Sequence, residues 1–282
     1  MKRYSSATEF LAETERFLLE AETRNNLILG IARSVDREAA EQRPPSAIEP
    51  CFAAVLHNGE PVLCGFRTRA ERFGITGAKH TDALHLLARD AHAACPEARL
   101  MMGPEPDVAL FAQAMADCRG GQTRRHRAQR LHELLTVKPR PLPPGCLRVA
   151  NDADAALLTR WVAEFLVEVD ESGDAAELAA ARIRSGALFV WDDNGPVSMA
   201  AWTGKTPAGV RINFVYTPAE LRGRGYASAC VAALSAALLQ EGNRSCCLYT
   251  DLANPISNAI YRRIGYEPIC DWGVYALEGM MV

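Results

Sequence analysis

No histidine lies beyond His132, no cysteines stand in C-x-x-C spacing, and no apolar run approaches the roughly 18 residues of a membrane helix. The first absence removes histidine acid–base chemistry from the second half of the chain. The nine cysteines are odd in number and scattered from Cys51 to Cys270, which argues against a disulfide framework or a zinc site. Charge of one sign is also scarce. Through Arg140 there are 20 basic and 18 acidic residues, and after it 11 and 16. Neither half has the basic excess of a nucleic-acid binder. The first residues, Met1-Lys2-Arg3-Tyr4-Ser5, lead into Glu9, Glu13 and Glu15 rather than into the apolar core of a signal peptide. The expectation is a cytoplasmic protein without a membrane or nucleic-acid partner and without a metal.

What is present is ordinary globular material: 282 residues, 49% hydrophobic and 23% charged. That length suggests two domains. Residues 136–145, Thr-Val-Lys-Pro-Arg-Pro-Leu-Pro-Pro-Gly, hold four prolines and can enter neither a helix nor a central strand. They read as a linker between domains 1–135 and 146–282. In the first half, Phe10, Phe17, Leu18 and Ala21 mark a helical face. Strands are predicted at Cys51–Leu56 and Pro61–Phe66, joined by an Asn58-Gly59 hairpin signal. A helix over Thr81–Ala94, a strand over Arg99–Met102 and a helix over Pro106–Cys118 follow. The second half repeats this order. Leu157, Leu158, Trp161 and Phe165 mark a helix and Ala176–Ser185 a second; Ala187–Asp192, Val197–Thr203 and Val210–Tyr216 are strands. Then come a helix over Ala227–Glu241, a strand over Ser245–Thr250, a helix over Ser257–Ile264 and a last strand over Trp272–Leu277.

Between the strand ending at Tyr216 and the helix opening at Ala227 stands Arg222-Gly223-Arg224-Gly225-Tyr226-Ala227. A glycine-rich turn there presents backbone N–H groups at the positive end of a helix dipole, a ready place for a pyrophosphate. Only two glycines are in place, so the dinucleotide fingerprint G-x-G-x-x-G is not met, and no P-loop lysine follows. Taken alone, the same six residues also fit a solvated turn with two surface arginines.

About thirty residues on comes Asn254-Pro255-Ile256-Ser257-Asn258-Ala259-Ile260-Tyr261, then Gly265-Tyr266. With this second stretch the chain resembles the GNAT acyltransferases (Gcn5-related N-acetyltransferases). Arg222 to Ala227 match that family's acyl-CoA loop, [Q/R]-x-x-G-x-[G/A], and the second stretch matches its strand–Asn–helix–Tyr–Gly signature. The resemblance implies a mixed, largely antiparallel α/β fold, here as two tandem GNAT-like domains with a degenerate N-terminal half. It implies acetyl-CoA as acyl donor, a small-molecule amine as acceptor, and direct attack in a ternary complex. It implies that Arg222, Gly223, Arg224, Gly225, Tyr226 and Ala227 hold the pyrophosphate. Phe214, Val215 and Tyr216 would bind pantetheine and the thioester carbonyl, Asn254 and Asn258 would contact pantetheine, and Tyr261 would be the general acid. Val215 to Leu221 is about two residues longer than the family's usual connection.

The strand Arg211–Tyr216 carries Asn213 and no carboxylate, so the general base falls to Asp251, with Glu164 and Glu168 as alternatives spaced i,i+4. An acidic run from Glu164 to Glu177 borders the region where the family binds its acceptor, which would favour a cationic amine. In the first half Phe73–Lys79 takes the loop's place without its motif, and Arg119, Arg124, Arg125, Arg127 and Arg130 form the one basic cluster. Two other readings keep the fold: amino acid acylation with a longer acyl-CoA, as in glycine N-acyltransferase-like proteins, or a non-catalytic acyl-CoA sensor.

Overall fold

The computed structural model describes residues 1–41 and 48–279. Contacts divide the chain into two units, the first comprising Met1–Leu131, Thr250–Asn254 and the stretch from Pro268 onward, the second His132–Tyr249 and Pro255–Glu267. The fold is mixed α/β with mainly antiparallel strand pairing. Among the described residues no helix is long and apolar enough to cross a membrane.

The first unit begins with β1 (Lys2–Tyr4), α1 (Ala7–Leu19) and α2 (Asn26–Ala40). The strands β2 (Cys51–His57), β3 (Glu60–Arg69) and β4 (Arg72–Ile75) follow, then α3 (Asp82–Ala94), β5 (Leu100–Pro104), α4 (Asp107–Arg119) and β6 (Gln122–Leu134), whose last three residues group with the second unit. Ser6 starts α1 by accepting the Glu9 N–H on its hydroxyl. The β2–β3 hairpin turns at Asn58 and Gly59 with φ of 53° and 84°, the left-handed pair a two-residue turn needs. Alternation along β2 divides the core. Phe52 and Ala54 face α1 and α2 with Phe10, Leu18 and Leu29, while Ala53 and Val55 face α3 and α4 with Leu84, Leu87 and Phe111. A sheet packed on both faces by a helix pair results.

The second unit repeats the order. It runs β7 (Cys146–Val149), a 3-10 turn (Asp152–Asp154), α5 (Ala155–Glu168), α6 (Ala175–Arg184), β8 (Leu188–Asp192), β9 (Pro196–Thr203), β10 (Gly209–Tyr216), α7 (Tyr226–Gln240), β11 (Ser245–Asp251) and α8 (Pro255–Ile264). Its strand order is β7-β8-β9-β10-β11, antiparallel except for β10 with β11. Leu158, Trp161 and Val162 of α5 cover one face and the Ala/Leu-rich α7 the other. Arg148 joins β7 to the α5 entrance, donating to Asp154 at 2.7 and 2.9 Å and to Asp192 at 2.7 Å. That arrangement holds both carboxyls below their ordinary range.

The last strand, β12 (Glu267–Glu278), pairs antiparallel with β5 of the first unit, Trp272 opposite Pro104 through Ala276 opposite Leu100. The predicted strand over Trp272–Leu277 therefore exists, and its partner lies about 170 residues back in the sequence.

Candidate active site

β10 and β11 run parallel over three pairs only, Gly209–Arg211 against Ser245–Cys247, and then part, although both strands continue. The cause lies in β10. Against β9, Asn213 stands opposite Ala201 and Tyr216 opposite Met199, so β10 uses three steps where β9 uses two. The extra residue is a β-bulge, which bends the strand that carries it. Phe214 takes the strain with φ of +51°, a conformation rare for an aromatic residue. Main-chain groups of β10 from Ile212 to Tyr216 thereby lose their β11 partners and line a wedge within the second unit.

Three side chains from α5 and α6 hold the bulge. Phe165 stacks on Phe214 with centroids 5.0 Å apart, and the Arg182 guanidinium lies 4.0 Å from the centre of the Phe214 ring. The Tyr216 hydroxyl donates to Glu164 Oε2 at 2.7 Å, and burial, reinforced by that carboxylate, pushes the phenol up to about 12. The longer connection after Tyr216 is used for a 3-10 turn over Ala219–Leu221, whose Leu221 packs on the α7 core. Arg222 then folds back. Its Nε donates to the Thr217 carbonyl at 2.8 Å, its guanidinium meets the Glu168 carboxylate, and its charge lies 5.7 Å from the Tyr216 ring centre. Glu164 and Glu168, candidate bases in the sequence, tie α5 to the strand end and the loop. Asp174 caps α6 by accepting the Ala176 and Glu177 N–H groups. Three residues of the acidic run, Glu164, Glu168 and Asp174, are thus engaged by partners within the chain although they lie at the surface.

The loop ends in an open helix start. Gly223 and Gly225 have φ of 77° and 84°, and a side-chain carbon at either would meet nothing within 4 Å. Glycine is required there for its backbone angle, in front of empty space. Gly225 caps α7 without a side chain, and the first intrahelical bond runs from Ala229 N–H to the Gly225 carbonyl. Tyr226, Ala227 and Ser228 precede that bond, so their N–H groups face outward at the positive helix end. The Tyr226 side chain turns away, donating to Asp193 at 2.8 Å. The equivalent connection in the first unit, after β4, is closed. Ala78 N–H donates to Asp107 Oδ2 and Lys79 N–H to the Val62 carbonyl, both at 2.9 Å, so a protein carboxylate occupies the place of an anion.

Tyr261 on α8 packs, with Val215 and Leu221, against the cluster that holds α7. It meets Tyr266 edge-on at 5.9 Å, and Tyr266 donates to or accepts from Ser235 Oγ at 2.8 Å in the core. The Tyr261 hydroxyl has no hydrogen-bond partner among the described residues, and burial holds its proton well beyond the ordinary phenol range. Phe214, Val215, Tyr216, Arg222 to Ala227, Asn258 and Tyr261 all lie in the second unit. Asp251 and Asn254 fall in the segment 250–254, which groups with the first. There Asp251 accepts the Ala253 N–H at 2.7 Å and, through its carbonyl, the Asn254 N–H at 3.1 Å, forming a turn after β11. Two features have no sequence signal. Arg182 is one of two arginines in the last turn of α6, and Asn213 is marked in the sequence only by not being a carboxylate. Asn213 Oδ1 is buried and unpartnered, as is Arg182 Nε.

Comparison with known proteins agrees with this geometry. Residues 191–273 match the family described as FR47-like protein. No curated protein matches the chain. Among solved structures, a Drosophila protein is similar over 98% of this chain and 97% of its own, at 15% identity and a TM-score of 0.68. A tandem GNAT protein from the clavulanic acid biosynthesis pathway is similar over all of both chains, at 17% identity and a TM-score of 0.58. A GCN5-related N-acetyltransferase from Kribbella flavida is similar over 89% of this chain and 96% of its own, at 17% identity and a TM-score of 0.55. The chain therefore has the GNAT fold, with two units in tandem.

Proposed function

We propose that this protein is an acyl-CoA-dependent N-acetyltransferase that moves the acetyl group of acetyl-CoA to a primary amine by direct attack. The observation that carries the reading is the parting of β10 and β11 at a strained bulge, next to an uncapped helix start. The wedge leaves main-chain groups of Phe214 and Val215 to an extended amide chain such as pantetheine, while the Tyr216 carbonyl already accepts from Ser198 Oγ at 3.0 Å. The N–H groups from Arg224 to Ala227 suit the pyrophosphate at its other end. Asn258 and Asn254 are further contacts for the pantetheine amides on the strength of the sequence pattern.

In the proposed reaction the neutral amine forms a bond to the acetyl carbonyl carbon, and the C–S bond breaks with its electron pair on sulfur. A main-chain N–H at the bulge would stabilise the carbonyl oxygen as its charge grows. Tyr261 gives its proton to the departing thiolate, and the proton that the attacking nitrogen sheds as the amide forms returns through solvent to the Tyr261 phenolate. Its raised pKa keeps the hydroxyl protonated at neutral pH, and its lack of a protein partner leaves it open for that transfer. The acceptor's ammonium must first lose a proton, and Asp251 remains the candidate from sequence. No nucleophile is placed for a covalent intermediate. Cys230 and Cys246 are buried, and burial pushes both thiols up to about 12.

The test is release of free thiol from acetyl-CoA in the presence of pooled amines, amino acids and polyamines. Amine-dependent release that Tyr261→Phe slows without weakening acyl-CoA binding is the expected result. An unchanged rate in Tyr261→Phe would remove the assigned acid, and absence of acyl-CoA binding would overturn the proposal.

A further inference from the structure

We infer that the face of β10 under α5 and α6 holds a carboxylate, and that the acceptor is an amine carrying one, in the manner of an amino acid. This rests on the acyl-transfer reading above and names the acceptor class of that site.

The first observation is Arg182. It sits in the last turn of α6, partly buried, with its guanidinium over the Phe214 ring at the bulge. One terminal nitrogen donates to Leu178 O of its own helix at 3.2 Å, and Nε is sealed from solvent with no acceptor. Among the described residues no carboxylate pairs with it. Burial, and then the charge of Arg211, push its pKa down. Arginine does not relieve such a position by losing its proton, so the buried charge stays uncompensated unless an anion joins it. The two carboxylates of α5 are already committed, Glu164 to Tyr216 and Glu168 to Arg222. Glu168 is neutralised by Arg222, and Glu164, which accepts from the neutral Tyr216 hydroxyl, keeps its charge, so the attraction for an anion is local to Arg182 and Arg211.

The second observation is Asn213. Arg211 and Asn213 are two apart on β10 and share a face, while Ile212 between them packs with α7 on the other. The bulge brings the next residue, Phe214, to the α5 face as well. The Asn213 side-chain oxygen is buried with no donor, beside the bulge where the thioester would lie. A buried acceptor without a donor is uncommon in a finished fold. An N–H of the attacking amine would supply one. A carboxylated amine satisfies both groups, its carboxylate at Arg182 and its nitrogen at Asn213. A plain amine leaves Arg182 unpaired; a carboxylate on the acyl donor would pair Arg182 as well, and the succinyl-CoA comparison below separates the two.

The experiment compares each of three amino acids with its decarboxylated amine: alanine with ethylamine, phenylalanine with phenethylamine, and leucine with 3-methylbutylamine. Thiol release from acetyl-CoA is followed with the full chain. At least one α-carboxylated member is expected to be preferred in kcat/KM by about 30-fold or more. Arg182→Gln is expected to erase that preference through the acceptor's KM, with CoA affinity titrated alongside because Arg182 also packs on Phe214 at the bulge. Arg182→Lys, which keeps the charge and loses the two-pronged geometry, should recover only part of the preference and serves as the folded comparator if Arg182→Gln does not fold. Equal or better use of the decarboxylated amines would overturn the inference and leave acyl transfer standing. So would an Arg182-dependent preference for succinyl-CoA over acetyl-CoA with ethylamine, because the carboxylate would then belong to the donor. If no amine releases thiol, calorimetric titration of the same pairs into the CoA-loaded protein decides. Arg182-dependent binding of the amino acids alone supports the inference, and indifference to the carboxylate overturns it. Failure of acyl-CoA itself to bind the wild-type chain would instead refute the proposed function.

Discussion

Gly225 and Gly242 allow the loop's chemistry to be separated from its backbone strain. Both have left-handed φ, 84° and 98°, and neither would bring a new side-chain carbon within 4 Å of anything. They stand at opposite ends of α7, Gly225 before its first residue and Gly242 just past its last turn. Alanine at either site should cost about 1–2 kcal/mol from the backbone angle alone. For a unit of this size that is a fall in Tm of roughly 2–8 °C. Glutamate adds a charge as well. A carboxylate about 4 Å from one unit of phosphate charge is opposed by about 1 kcal/mol in water and about 4 kcal/mol at an effective dielectric of 20. Gly225→Glu should therefore weaken CoA binding by about 5- to 1000-fold beyond Gly225→Ala, while Gly242→Glu should match Gly242→Ala. Isothermal titration with CoA, alongside thermal unfolding of all four variants, reads both quantities. Equal loss of affinity in Gly225→Glu and Gly242→Glu would refute an anion site at the start of α7.

Three further outcomes follow from the same geometry. Tyr261→Phe should lower kcat about 100-fold or more, the usual weight of a general acid, with CoA affinity unchanged by calorimetry. Because burial raises the Tyr261 pKa, loss of the acid form should not limit the wild-type rate until the pH is above the ordinary phenol range, and a kinetic limb attributable to Tyr261 below pH 10 would contradict the assignment. Tyr216 has a folded-state pKa of about 12 against 10 unfolded, so its contribution to stability is complete below pH 10 and is lost as pH rises toward 12. Urea unfolding at pH 9 and 11.5 should show that loss in wild type and less of it in Tyr216→Phe. Arg148 depresses the pKa of Asp154 and Asp192, so those groups stabilise the fold above their unfolded values and cease to as pH falls through the folded ones. Arg148→Gln should move the acid-unfolding midpoint, followed by circular dichroism, to higher pH.

The reaction loop was legible because its cause is local. Two glycines before an Ala/Leu helix permit the positive φ that the turn adopts, and the Asn58-Gly59 turn is of the same kind. The repeated order of elements could be read for the same reason, since hairpins, helix starts and stops are written in neighbouring residues. Several features escaped because their causes are distant. α2, over Asn26–Ala40, has no side-chain cap at Asn25 and carries Gly30 in its interior, so neither its start nor its continuity is marked. β4 has four residues, too few for a period, and is a strand because β3 and β5 flank it. β6 carries most of the basic cluster, and its partners are distant: Arg124 meets Glu278 and Arg130 meets Asp271, more than 140 residues away. The bulge at Phe214 runs against the backbone preference of its own residue and is held by Phe165 and Arg182. The site's loop is local chemistry, and its floor is tertiary.

The place of β12 sets an order of completion during vectorial synthesis. Domains commonly mature in the order in which they leave the ribosome. Here the first unit lacks its β5 neighbour until residues from Pro268 onward have been made, whereas the second needs nothing beyond Glu267. The unit that starts second can finish first. Until β12 arrives, the nascent first unit presents the flank of β5 unpaired, an open strand edge of the kind that pairs with other chains.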